Sequence, residues 1–190
     1  SLCEKHEVTL ILDDVRCGWR LDDSGSHKYF DFIPDLSIYS KALGNGYAIS
    51  ACLGSEKFRS AASEVFLTGS CWNDAYSMAA ALASLEKSAH KNVAESVLEK
   101  GRFFCANIED LARNYGIDFS MTGVPSMPYP WIKGDDNLYQ IQTFCKFAAQ
   151  EGLFFHPYHN WFISDALSID DLEQALVLAK KAFGKLVENI

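Results

Sequence analysis

The run Val8-Thr9-Leu10-Ile11-Leu12 stops at Asp13-Asp14-Val15, and a second apolar run, Leu36 to Tyr39, leads into Ser40-Lys41-Ala42-Leu43-Gly44-Asn45-Gly46. An apolar, β-branched run that ends in a carboxylate reads as a buried strand delivering an acid to a sheet edge. The second run delivers an amine 28 residues after Asp13. At the carboxyl end of a parallel strand, side chains point into the crevice where open α/β sheets bind ligands. A carboxylate there can pair with a pyridine nitrogen and keep it protonated. A lysine at the neighbouring strand end can attack an aldehyde and then move a proton between carbon atoms. These are the two requirements for holding and using pyridoxal 5′-phosphate, whose protonated ring is an electron sink. Val15 is then placed to pack on a face of that ring.

Each element has a rival reading. On its own, the strand ending in two acids fits the magnesium-binding strand of a nucleotide hydrolase equally well. The phosphate loop G-x-x-x-x-G-K-[ST] is absent from the 190 residues, which weakens that reading. A lysine before a glycine turn is by itself an ordinary solvated loop residue; Asp13 and the turn at Gly44 and Gly46 give it meaning. Leu67-Thr68-Gly69-Ser70, ahead of a helical segment, offers hydroxyls and amides suited to a phosphate dianion. Ordinary helix capping explains the same residues. His156-Pro157-Tyr158-His159 has two imidazoles three apart, but the proline and flanking strand-like runs make it a loop with no third ligand nearby, so no metal is expected. Asp135-Asp136 reads as a turn, Asp170-Asp171 as a capped helix start, and the pairs Phe103-Phe104 and Phe154-Phe155 as core.

Strand-like runs at Val8–Leu12, Leu36–Tyr39 and Ile49–Leu53 must position these groups. A short helix is expected over Ser55–Ala62 and a longer one over Asp74–Ser88. Another carries an apolar stripe from Ala94 to Tyr115. Beyond Gly116 the pattern becomes short strands, at Ile117–Met121, Met127–Ile132, Leu153–Phe155 and Trp161–Ile163, around a helix from Leu138 to Gln150. A last helix opens on the capping pattern Ser168-Ile169-Asp170-Asp171 and runs through Leu186. A domain boundary is expected between residues 88 and 95, inside helical sequence, dividing 1–92 from 93–190. The composition is 48% hydrophobic, which suits a packed core. A formal charge of −8 with no basic run argues against nucleic acid or an anionic membrane as partner. Six scattered cysteines without a CxxC pair read as reduced thiols, and with no signal-peptide pattern the expected location is the cytoplasm.

Taken together, these residues resemble the class III pyridoxal-phosphate aminotransferases, most nearly glutamate-1-semialdehyde 2,1-aminomutase and its aminotransferase relatives. The resemblance lies in Leu10-Ile11-Leu12-Asp13-Asp14-Val15-Arg16-Cys17-Gly18-Trp19-Arg20, in Pro34 through Tyr47 around Lys41, and in Gly152 through Ser164 with the capped helix. It implies an α/β chain of the fold-type-I transferase kind: the later half of the large domain followed by a small α+β domain. It implies that Asp13 binds the pyridine nitrogen, that Lys41 forms the covalent link to pyridoxal 5′-phosphate, and that a hydroxyl donated from a neighbouring subunit binds the phosphate. Ser70 stands at that position, with Thr68 beside it. A homodimer acting on a small amino-acid or oxo-acid substrate follows by the same resemblance. Asp14 replaces the family's usual glutamate, Ala48 its common proline, and Trp72-Asn73-Asp74-Ala75 the usual Gly-Asn-Pro. Family members are about twice as long, so this chain is expected to be part of a longer amino-group-transferring enzyme. The alternatives are a non-catalytic fragment that keeps dimerisation or partner binding, and a nucleotide- and magnesium-dependent enzyme.

Overall fold

A computed structural model describes residues 2–189, and the chain divides into two compact units, Ser1–Glu95 and Ser96–Ile190. In the first unit, a short helix α1 (Leu2–Lys5) precedes strand β1 (Ile11–Asp13), and helix α2 (Ser26–Tyr29) lies in the connection to β2 (Leu36–Tyr39). Strand β3 (Ala51–Gly54) follows, then helices α3 (Arg59–Glu64) and α4 (Ala75–Lys91). The sheet order is β1-β2-β3, with β1 and β2 parallel and β3 antiparallel to β2. Leu36 to Tyr39 forms the strand expected of it, whereas β1 begins three residues later than the apolar run and includes Asp13 itself.

Beneath the sheet, Tyr39, Leu43 and Ala81 form a small core joined by Trp19, Ile49 and Ala51. The face of α4 carrying Ser77, Ala81 and Ser88 is buried, and Asp74 caps its start by accepting from the amides of Tyr76 and Ser77. Asp23 ties the far end of α4 to the loop after β1, accepting from the Ser88 hydroxyl at 2.5 Å and the Ala94 amide at 3.4 Å.

The boundary between the units falls within helix α5 (Val93–Arg113). In the second unit a two-stranded antiparallel sheet, β4 (Phe119–Thr122) and β5 (Tyr129–Ile132), is followed by α6 (Tyr139–Gln150) and α7 (Ile169–Val187). Its centre is aromatic. Phe144 and Phe183 are fully buried with ring centroids 4.3 Å apart, and Phe155 stacks on Trp161 at 3.8 Å. Large stacked rings concentrate apolar burial in few residues, which suits a unit of this size. Gly101 of α5 allows close approach of the Pro125 carbonyl: a Cβ there would lie 2.0 Å from it.

Two expected strands are corrected here. Leu153–Phe155 and Trp161–Ile163 are irregular. The Trp161 and Ile163 amides do bond to the Pro128 and Ser126 carbonyls, so the segment lies along the sheet without extending its ladder. Pro128 and Pro130 have no N–H to return such bonds, which limits pairing on that side. Asp135 is more than a turn residue. It is 3% exposed and its carboxylate accepts from the Gln140 and Ile141 amides, capping α6 from outside a left-handed Leu138. The capping box predicted at the last helix is present, with Ser168 and Asp171 bonding each other reciprocally. Among the described residues, no helix is long and apolar enough to cross a membrane.

Candidate functional site

The site is built from the parallel pair. Asp13 is the register partner of Ile38, and the Asp14 amide then donates to the Ile38 carbonyl at 2.9 Å. Both strands therefore finish at the same end of the sheet, and Lys41 opens the turn two residues after β2 stops. Asp13 and Lys41 are both exposed. Strand alternation separates the two acids: Asp13 faces solvent while Asp14 is 1% exposed. The Val15 amide donates to Asp13 Oδ1 at 3.1 Å, orienting the carboxylate and leaving its other oxygen free to take a donor. Val15 itself is half-buried in the turn just beyond.

The lysine turn is held tightly. Lys41 has φ 43°, in the left-handed region that non-glycine residues adopt at a cost of about 1–2 kcal/mol. Several bonds enforce it: Leu43 N–H to the Ser40 carbonyl, Asn45 N–H to the Lys41 carbonyl, and the Ser40 hydroxyl to the Ile49 carbonyl at 2.8 Å. Gly44 permits the fold-back, since a Cβ there would sit 2.2 Å from the Tyr47 carbonyl oxygen. Strained backbone sustained by surrounding bonds is a feature of working sites.

Thr68 and Ser70 lie in an irregular, exposed segment between α3 and α4, with Gly69 and Trp72 closing a turn around Ser70. The strand register puts Asp13 and Lys41 at the same end of the sheet. It does not bring Thr68 or Ser70 to them.

Two neighbours of Asp14 were not picked out from sequence. Asp14, Gly25 and His27 meet behind the strand end, where the Ser26 amide donates to Asp14 Oδ2 at 2.8 Å. The shortening of the family's glutamate to Asp14 was the available signal. Burial and the nearby Asp14 push the Cys17 thiol above its ordinary range, and burial does the same to the Tyr39 hydroxyl. Neither group is therefore set up as a ready nucleophile.

In the second unit, the Tyr158 amide donates to His156 Nδ1 at 3.0 Å, which leaves the ring proton of the neutral imidazole on Nε2. His159 Nδ1 lies 3.0 Å from the Asn160 carbonyl and must donate to it. The pair therefore offers one proton and one lone pair rather than two lone pairs. Among the described residues, no group of three or more His, Cys, Asp or Glu is arranged for a metal ion.

The chemistry of the donor set fits pyridoxal 5′-phosphate at two points: a carboxylate with one oxygen free and an amine at the adjoining strand end. Comparison with known proteins points the same way. A family model described as aminotransferase class-III matches residues 1–180. The aminopentol aminotransferase of Sphingopyxis macrogoltabida is 33% identical over 187 residues, covering 98% of this chain and 44% of that protein. A glutamate-1-semialdehyde 2,1-aminomutase from Lachnoclostridium phytofermentans is 26% identical, covering 95% of the chain and 46% of the enzyme. Among solved structures, the PLP internal aldimine form of the FumI protein from Sphingopyxis sp. MTA144 superposes with a TM-score of 0.95 at 33% identity, covering 99% of this chain and 45% of that one. The chain thus spans less than half the length of the relatives it matches.

Proposed function

The chain belongs to the class III aminotransferase family, and from that premise we propose that it carries the lysine and the ring-nitrogen acid of a pyridoxal-phosphate enzyme that moves an amino group. The observation that carries this reading is the parallel register of β1 and β2, which puts Asp13 and Lys41 at one end of the sheet.

When bound, pyridoxal phosphate supplies an aldehyde that condenses with amines and a ring that draws electrons from the carbon beside the substrate nitrogen. Asp13 holds a proton on the ring nitrogen through its free oxygen, while the Val15 amide fixes the other. Val15 packs against the ring face. Lys41 would supply the amine that bonds the aldehyde. It would also be the base that takes a proton from the substrate carbon and the acid that gives it back. Ser70, with Thr68 beside it, offers hydroxyl donors to the phosphate bound in the neighbouring subunit. The substrate is a small amino acid with an oxo acid as partner, or an amino aldehyde rearranged within one molecule.

The assembly we propose is a homodimer in the cytoplasm. Support for a covered surface comes from α4, whose outer face carries Met78, Leu82 and Leu85, 48%, 58% and 38% exposed. Exposed apolar stripes of this kind mark contact surfaces.

Titrating the chain with pyridoxal 5′-phosphate tests the proposal. A visible absorption band is expected in the wild type and not in Lys41→Ala. A band of equal strength in that variant would overturn the assignment of Lys41.

A further inference from the structure

Past the bond from the Asp14 amide to the Ile38 carbonyl, the loop after β1 and the end of β2 meet at the side chain of Tyr39. Tyr39 closes β2 two residues before Lys41 and is 4% exposed. The loop is moulded to its ring at three places. A Cβ on Gly18 would lie 2.9 Å from Tyr39 Cδ1, and one on Gly25 would lie 2.6 Å from the Tyr39 hydroxyl. Between these glycines in sequence, the Trp19 ring packs on that of Tyr39, with centroids 5.1 Å apart and planes tilted by 54°. Trp19 does so at φ 59°, a left-handed conformation that a residue with a Cβ adopts only at a cost.

The same side chain is tied to the lysine turn. Tyr39 and Leu43 bracket Lys41 in sequence and share one buried cluster with Ala81 of α4, so the lysine stands between two anchored residues. On the acid's side the connection runs through backbone. Gly18 N–H donates to the Asp14 carbonyl at 2.9 Å and closes the turn that carries Val15, whose amide holds Asp13 Oδ1 at 3.1 Å. That turn rests on Tyr39 at Gly18 and fixes the Asp13 carboxylate at Val15. Close-packed interiors have low compressibility, so a shift at the ring reaches both groups. The hydroxyl contributes less: its partner, the Ser24 carbonyl, is 3.5 Å away, long for an O–H donor.

We infer that the Tyr39 ring is a positioning group for the reaction, setting the Asp13 carboxylate and the Lys41 amine relative to each other. The inference rests on the reading of Asp13 and Lys41 as the ring-nitrogen acid and the cofactor lysine. It differs from ordinary core packing in one consequence. A merely structural Tyr39 would act on cofactor uptake through stability alone, and Asp13 would contribute equally with or without the ring.

A double-mutant cycle reads that difference. Label at Lys41 after borohydride reduction, followed against pyridoxal 5′-phosphate concentration, gives a half-saturating value for each variant. Asp13→Asn should raise this value about tenfold in the wild-type background and less than about twofold in Tyr39→Leu, where the acid is no longer set against the lysine. Tyr39→Phe keeps the ring and should retain the full effect. An effect of Asp13→Asn that is equal in wild type and Tyr39→Leu overturns the inference, as does its disappearance in Tyr39→Phe. If Asp13→Asn changes nothing in the wild-type background, the reading of Asp13 fails and the positioning role with it. If Lys41 takes no dominant label, the reading of Lys41 fails likewise.

The mechanical link is measured without cofactor. The Gly18 amide closes the acid's turn, and the Asn45 amide closes the lysine's by donating to the Lys41 carbonyl. Hydrogen exchange at both should quicken about tenfold in Tyr39→Leu and stay near the wild-type rate in Tyr39→Phe. Unchanged exchange in Tyr39→Leu overturns the link. Should Tyr39→Leu lose its cooperative urea transition, Trp19→Leu removes the contact from the loop's side and takes its place in both measurements, with the same outcomes deciding.

Discussion

Asp13 and Ile38 face each other across the parallel β1–β2 pair, and that register decides the site. It makes the acid the last residue of one strand and puts Lys41 three residues beyond its partner on the other. A slip of one residue would exchange the roles of Asp13 and Asp14, because strand side chains alternate between faces. The buried carboxylate would then be the one offered to a ligand, and the exposed one would have to enter the core.

The lysine turn depends on Gly44. A methyl group there would meet the Tyr47 carbonyl at 2.2 Å and the Ile49 side chain at 2.7 Å, and backbone cannot yield as a flexible side chain does. Gly44→Ala should cost about 1–3 kcal/mol in urea unfolding, the usual penalty for overpacking. It should also weaken uptake of pyridoxal phosphate by displacing Lys41. Unchanged stability together with unchanged uptake would contradict the tight fold-back.

Asp135 anchors the start of α6 through two backbone amides while buried at 3% exposure. Asp135→Ala leaves both amides without their acceptor, so a loss of about 1–2 kcal/mol is expected. Chemical denaturation followed by the aromatic signal of the second unit measures it. Asp136→Ala, changed in parallel, should have little effect.

The sequence made some of this legible and hid the rest for physical reasons. Leu36–Tyr39 was readable because the run is short, apolar and bounded by turn residues, and Ser168 with Asp171 because a capping box is a local device. Asp13 and Lys41 were legible as a pair because each closes an apolar run. The turn at Asp135 concealed a helix cap, since its partners lie five and six residues away, past the ordinary capping position. Trp161–Ile163 read as a strand because its alternation is real, but its partner segment is rich in proline. Around Asp14 the sequence flagged only the replaced glutamate; Gly25 and His27 come near it because the loop after β1 folds back.

Acid should loosen the α6–α7 pairing. Glu151 sits between Lys185 and Lys181, and its bonds to these two, Lys185 first, hold its carboxyl below the ordinary glutamate range. A depressed folded-state value means the contribution is present above the unfolded value, about 4.3, and is lost as the pH falls through the folded one. Thermal unfolding of the wild type and Glu151→Gln should therefore differ at pH 7 and converge as the pH drops below 4. A difference that persists in acid would show that charge pairing is not the cause.

The six thiols should divide by environment. Burial pushes Cys105 and Cys145 up to about 12, so both stay protonated and inert at neutral pH. Cys52 and Cys71 are exposed. Alkylation of the native chain, read by peptide mass, should label Cys52 and Cys71 promptly and spare Cys105 and Cys145 until denaturant is added. Early labelling of Cys145 would contradict the packing around Phe144.

The central claim is that Lys41 is the residue joined to pyridoxal phosphate. Incubating the chain with limiting pyridoxal 5′-phosphate, reducing with borohydride and mapping the peptides reads this out among all its lysines. The expected product is a single dominant phosphopyridoxyl group on Lys41, reduced in yield by Asp13→Asn. Label spread across surface lysines such as Lys57, Lys133 and Lys181, with Lys41 no more modified than the rest, would contradict it.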